Sequence, residues 1–148
     1  MNGKNLLATL VLVTAASCAV NGQAQSSRPN LARDAKATPA YEVLILRKVA
    51  VETDLYDLRT KFTSDSELVK TKRFELTFVT REIDKLQRVE QAVIPKLTAV
   101  YGDLLLRRVA LEVQLEDLRR RFTSDSPDFT RTRTELAVLD REIAKLLD

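Results

Sequence analysis

Displacing the chain by 60 residues lays Tyr41 to Arg88 over Tyr101 to Asp148 without a gap, and 24 of the 48 aligned positions are identical. A unit present twice must fold as two similar pieces of supersecondary structure, each needing a neighbour to cover its apolar face. The shared residues include Leu44, Arg47, Val49, Ala50, Glu52, Leu55, Asp57, Leu58 and Phe62, matched at Leu104, Arg107, Val109, Ala110, Glu112, Leu115, Asp117, Leu118 and Phe122. Thr63-Ser64-Asp65-Ser66 returns at Thr123-Ser124-Asp125-Ser126, and Arg81-Glu82-Ile83 returns at Arg141-Glu142-Ile143.

The apolar spacing within each unit is helical. Tyr41, Leu44, Lys48, Val51, Leu55, Leu58 and Phe62 recur at alternating steps of three and four, as do Tyr101, Leu104, Arg108, Leu111, Leu115, Leu118 and Phe122. After the Thr-Ser-Asp-Ser stretch the stripe resumes as Val69, Lys72, Leu76, Val79, Ile83 and Leu86, answered by Phe129, Thr132, Leu136, Leu139, Ile143 and Leu146. Each unit is thus predicted to be two helices of about 20 residues, about 30 Å long, joined by a short turn. Three Gly, four Pro and no Trp, beside 45% hydrophobic and 30% charged residues, suit long amphipathic helices and leave little turn chemistry for a sheet.

The turn carries helix-start chemistry in both copies. Ser64 with Glu67 fits a capping box, and Ser126-Pro127 fits an N-cap followed by Pro at the first helical position. Ser64, Asp65, Ser66, Ser124, Asp125 and Ser126 are therefore read as structural. Lys48 and Arg108, charged residues on the stripes, are read as snorkelling or register-setting.

The expected fold is all-α: two tandem antiparallel helical hairpins, coiled-coil-like, at 41–88 and 101–148, joined by a connector at 89–100. Pro95 in the connector removes a backbone donor and crowds the carbonyl of Gln91, while Gly102 weakens the turn that follows. A bend at Pro95 gives an extended rod with a kinked central helix; a full break lets the hairpins pack as a four-helix bundle. Ile45, Leu46, Val49, Phe74 and Phe78 lie outside the main stripes and widen the apolar face, which favours the bundle or an oligomer of rods.

Residues 1–24 have the parts of a secretory signal: Lys4, an apolar run from Leu6 to Ala16, then small residues. Eleven apolar residues are too few for the roughly 20 that a membrane span requires. Gly22-Gln23-Ala24 offers a signal-peptidase site. Alternatively, Ala15-Ala16-Ser17-Cys18 is similar to a bacterial lipobox and makes Cys18 a candidate lipidation site. The expected location is the periplasm or the exterior, or the bacterial envelope with a lipid anchor at Cys18. Residues 25–40, polar and with two prolines, are expected to be a disordered linker.

The chain has no His, and its one Cys is Cys18, so nucleophilic, redox and metal chemistry based on those residues is excluded beyond the signal. No cofactor motif is present. What remains for catalysis is a carboxylate pair such as Glu52 with Asp57, but a separation of five residues puts them on different helix faces. The reading is therefore non-enzymatic: a cell-envelope scaffold or protein–protein interaction module, with a protein partner or self-association and no small-molecule substrate. The 24 basic residues against 21 acidic ones give a net charge of +3, too balanced to draw nucleic acid. Locally, the hairpin tips lean basic, with Arg59, Lys61, Lys70, Lys72 and Arg73 at the first and Arg119, Arg120, Arg121, Arg131 and Arg133 at the second. The alternative reading is accordingly contact of these tips with an anionic membrane surface or acidic polysaccharide.

The segment Arg121-Phe122-Thr123-Ser124-Asp125-Ser126-Pro127-Asp128-Phe129, followed by Arg133, Glu135 and Leu136, resembles the hairpin turn in the periplasmic coiled coils of bacterial polysaccharide chain-length determinant proteins. In that family an aromatic-Thr pair and two variable residues precede His-Pro; here Ser126 stands at the His position, and the first copy has Ser66-Glu67. The resemblance implies a periplasmic coiled-coil hairpin and does not extend to that family's membrane helices or kinase part.

Overall fold

A computed structural model describes residues 31–147. The expected signal, the candidate Cys18 and linker residues 25–30 lie outside the described residues. The described chain is all-α: α1 at Leu31–Lys36, α2 at Pro39–Lys61, α3 at Glu67–Leu86, a 3-10 segment at Gln91–Lys96, α4 at Ala99–Arg121 and α5 at Pro127–Leu147. Helices α2 and α3 form one hairpin, and α4 and α5 form the other.

Capping explains where these helices begin and end. Thr38 and Thr98 stand in extended conformation before α2 and α4, and their Oγ1 atoms accept from the backbone N–H of Tyr41 at 3.4 Å and Tyr101 at 3.3 Å. Both helices stop at a phenylalanine with extended backbone, Phe62 or Phe122, whose N–H donates back to Leu58 or Leu118 at 2.8 Å. These two phenylalanines, expected to end the buried stripes, stand 45% and 53% exposed because the chain leaves the helix there. Ser126 caps α5 as expected, its Oγ accepting from Phe129 N–H at 3.2 Å. The capping box expected between Ser64 and Glu67 does not form. Helix α3 begins at Glu67 itself, after Ser66, whose side chain makes no capping bond, and the Glu67 carboxylate is taken by Lys70 and Arg120.

The connector breaks the chain instead of bending it. Pro95 lies in the 3-10 segment between α3 and α4, so the rod with a kinked central helix is not formed and the hairpins pack on each other. The widened apolar faces drive this. Ala40, Leu44, Val79, Ile83 and Leu86 of the first hairpin close over Leu97, Tyr101, Leu105 and Val109, with Ile143 completing the cluster. Gly102 sits at the tightest approach, where a Cβ would lie 3.0 Å from Ala40 Cα, and Ala40 N–H donates to the Leu97 carbonyl at 3.2 Å. A residue that weakens a helix is present because the neighbouring backbone occupies the space a side chain would need.

The two hairpins point the same way. Gly102, near the start of α4, lies on Ala40 near the start of α2, while Arg120, near its end, reaches Glu67 and Thr71 just past the first turn. Helix α4 packs against α2 and α3 of the first hairpin as well as against its own partner α5. Helix α5 has α4 and the connector as its substantial neighbours. This is a stack of two units, the second laid on the first.

Residues 31–40, expected to belong to a disordered linker, are helical or capping. The element α1 precedes the 3-10 segment by 60 positions, and Thr38 precedes Thr98 by the same interval, with Ala32 and Lys36 recurring as Ala92 and Lys96. Ala35 is fully buried, and Thr38 Oγ1 donates to its carbonyl at 2.7 Å. The repeating unit is therefore a short helix plus a hairpin. Its upstream part carries no sequence signal of its own, because only an alanine, a lysine and the capping threonine are shared there, without an apolar stripe.

Candidate interaction surfaces

Between the hairpins the contact is ionic as well as apolar. Glu82 of α3 is 1% exposed and has Arg108 of α4 at 3.2 Å, Lys85 at 2.9 Å and Arg81 at 3.2 Å. Arg108 also holds Asp140 of α5 at 2.8 Å and Glu112 at 4.0 Å. Burial by itself would lower the Arg108 pKa, but the charges of Glu82, Asp140 and Glu112 outweigh it and hold the guanidinium above its ordinary value. Arg81 pairs with Glu112 and lies over the Phe78 ring at 5.0 Å. Arg108, whose place on the stripe suggests snorkelling or register-setting, ties α3, α4 and α5 together.

A second ionic group lies towards the turns. Lys72 bridges Asp54 of α2 at 2.8 Å and Glu75 at 3.1 Å, while Arg47 also pairs with Glu75. Burial would lower Lys72, but the hydrogen bonds it donates to Asp54 and Glu75 raise it above its usual value. The hydrogen bond and charge of Lys72 in turn hold Asp54 below the usual carboxylate range. A groove of about 650 Å³ opens here between α2, α3 and α4, lined by Asp54, Asp57, Leu68, Thr71, Val113 and Asp117 among others. Asp117 is 3.0 Å from Arg121 and Glu67 is paired with Lys70 and Arg120, so three of the groove's carboxylates, Asp54, Glu67 and Asp117, are held by cations. Glu52 pairs along its own helix with Lys48 at 3.5 Å, and the structure does not bring it together with Asp57. Among the described residues, no group of three His, Cys, Asp or Glu side chains could hold a metal ion.

The basic residues of the two tips divide into two sets. Lys70 pairs with Glu67, Lys72 with Asp54 and Glu75, Arg120 with Glu67, Arg121 with Asp117, and Arg131 with Glu135. Arg120 also lies 5.0 Å over the Phe74 ring, so it is a packing residue between the hairpins. Arg59, Lys61, Arg73, Arg119 and Arg133 have no ion pair among the described residues. No described helix is long and apolar enough to cross a membrane.

The exposed apolar surface is arranged by helix face. On α2, Leu46, Val49 and Tyr56 are 64%, 55% and 71% exposed, and with Thr53 they line one side of the helix. Leu46 and Val49 were expected to widen a buried face; in the first unit that face meets solvent. Leu106, Val109 and Val113 on α4, the counterparts of Leu46, Val49 and Thr53, are covered by the first hairpin, Val109 to 2%. On α5, Val138 and Leu146 are exposed, whereas their counterparts Phe78 and Leu86 pack into the core. Sequence reading missed this distinction because the two copies are nearly alike at these positions. Comparison with protein-family models, characterised proteins and solved structures finds no match.

Proposed function

We propose that this chain is a non-enzymatic scaffold or interaction module of the bacterial cell envelope, in which exposed helix faces engage another polypeptide. The observation that carries the reading is the solvent-facing Leu46, Val49 and Tyr56 on α2, an apolar stripe whose first two positions are covered in the second copy as Leu106 and Val109. Exposed large apolar side chains grouped on one face, with no pocket chemistry beside them, support helix-face recognition over catalysis. The Lys4, Leu6–Ala16 and Gly22-Gln23-Ala24 pattern supports export. A photo-crosslinking residue placed at Tyr56 in cells tests both parts. Discrete adducts in the envelope fraction are expected from Tyr56 and not from the solvated position Arg73; a chain that stays in the cytoplasm, or that gives no adduct from Tyr56, would overturn the reading.

A second reading rests on the tips. Phe62 and Phe122 are exposed at the two turns, on the same end of the stack as Arg59, Lys61, Arg73, Arg119 and Arg133. Apolar side chains flanked by unpaired cations suit an anionic membrane surface or acidic polysaccharide. Salt-sensitive binding to anionic vesicles, lost when Arg119 and Arg133 become Gln, is the expected result. Binding that ignores both salt and substitution removes this reading.

A further inference from the structure

We propose that a second copy of this chain docks head to tail on the first, its α2 occupying on α4 and α5 the position that α4 occupies on α2 and α3 within one chain. The proposal rests on the interaction-module reading and names the partner. Its basis is the interface already inside the molecule, whose two halves both recur, uncovered, at opposite ends of the stack.

The receiving half is made by α2 and α3. It presents Arg47, Glu75, Phe78, Arg81 and Glu82, and their counterparts on the second hairpin are Arg107, Glu135, Val138, Arg141 and Glu142: the four charged residues are identical and the aromatic one stays apolar. Arg107, Val138, Arg141 and Glu142 are exposed. The docking half is one face of α4, formed by Leu106, Arg108, Val109 and Glu112, and its counterpart on α2 is Leu46, Lys48, Val49 and Glu52. Residue by residue, the two free faces complement each other as the internal ones do. Arg81 pairs with Glu112 inside the chain, so Arg141 would meet Glu52 of a second copy. Glu82 pairs with Arg108, so Glu142 would meet Lys48, and Leu46 and Val49 would be covered as Leu106 and Val109 are.

The charges are already set along each helix for this. Glu82 holds Lys85 at 2.9 Å in the covered face, and Glu142 holds Lys145 at 2.7 Å in the free one. Arg108 has Glu112 at 4.0 Å where it is covered, and Lys48 has Glu52 at 3.5 Å where it is free. The leading element repeats too: α1 stands where the 3-10 segment stands in the second unit, and the two pack on each other. A head-to-tail contact builds an open assembly unless its rotation closes a ring; with its two halves on opposite ends of the stack, the product is an open stack whose length grows with concentration.

Sedimentation velocity of the protein over a wide concentration range tests this, with variants that reverse one charge on an exposed position of each face. The wild type is expected to sediment as a series of species that lengthens with concentration. Arg141→Glu and Glu52→Arg are each expected to weaken association about tenfold or more, by opposing like charges, while keeping the wild-type melting transition. The double variant, or an equimolar mixture of the two single variants, is expected to recover assembly, because a reversed face meets a complementary one. A wild type that is strictly monomeric at every concentration, or assembly unchanged by both reversals, would overturn self-stacking. If the purified chain is monomeric while Tyr56 adducts in the envelope contain a different polypeptide, self-stacking falls and the interaction-module reading stands.

Discussion

Glu82 and Glu142 occupy one position in two copies of the same unit, yet Glu82 is buried against Arg108 at 3.2 Å while Glu142 faces solvent, paired along its own helix with Lys145 at 2.7 Å. Helix α4 covers the first, and no described helix covers the second. Removing a carboxylate from a buried network leaves cations without compensation, whereas removing an exposed one changes little. Glu82→Ala is therefore expected to destabilise the fold by about 3 kcal/mol, and Glu142→Ala by about 0.5 kcal/mol or less. Urea denaturation midpoints of the two variants check the difference.

Gly102 has Ala40 Cα 3.0 Å from where its Cβ would stand, with Val43 Cβ at 3.1 Å. A branched side chain there must push α4 away from α2. Gly102→Val is expected to cost about 1–3 kcal/mol by overpacking, although valine is the better helix former of the two. Thermal denaturation followed by circular dichroism measures it, and a variant as stable as wild type would show that α2 and α4 do not approach so closely.

Ser66 and Ser126 are identical in sequence context on their N-terminal side but differ in use. Ser126 Oγ accepts the Phe129 N–H, and Ser66 makes no such bond. Ser126→Ala is expected to lose about 1 kcal/mol, the ordinary worth of an N-cap, and Ser66→Ala distinctly less. Equal losses in the two variants would contradict the capping geometry described.

Asp54 is held below its ordinary carboxylate value by Lys72, and Glu67 by Lys70, with burial opposing both. A carboxylate with a depressed folded-state pKa binds fewer protons than in the unfolded chain, so it contributes stability above its unfolded pKa and loses it as pH falls through the folded value. The melting temperature is expected to decline as pH drops below about 4.5. Lys72, raised by Asp54 and Glu75, works at the other end, contributing fully below 10.5 and losing its share as pH rises through its folded value. Both carboxylates are exposed, so the acid decline is expected to be modest and to shrink with added salt. A Lys72→Met variant is expected to show a shallower acid decline; an unchanged slope would assign the acid sensitivity to other groups.

Two hairpins of amphipathic helix, the turns between their arms, the proline-bearing connector, and the lack of His and of any Cys but Cys18 are all local properties of the sequence. Those properties are legible because helical periodicity and turn chemistry depend on residues a few positions apart. Tertiary structure decided how the units meet: that the connector breaks at Pro95, that Gly102 marks the closest crossing, and that Thr38 and α1 belong to the repeat. It also decided which copy of each shared residue is covered. Leu46 and Leu106, or Glu82 and Glu142, are the same residue in much the same local setting, so no local rule could separate the buried member from the exposed one. Burial is a property of the neighbour laid on top, and in a two-unit stack each internal contact leaves its counterpart open at the far end.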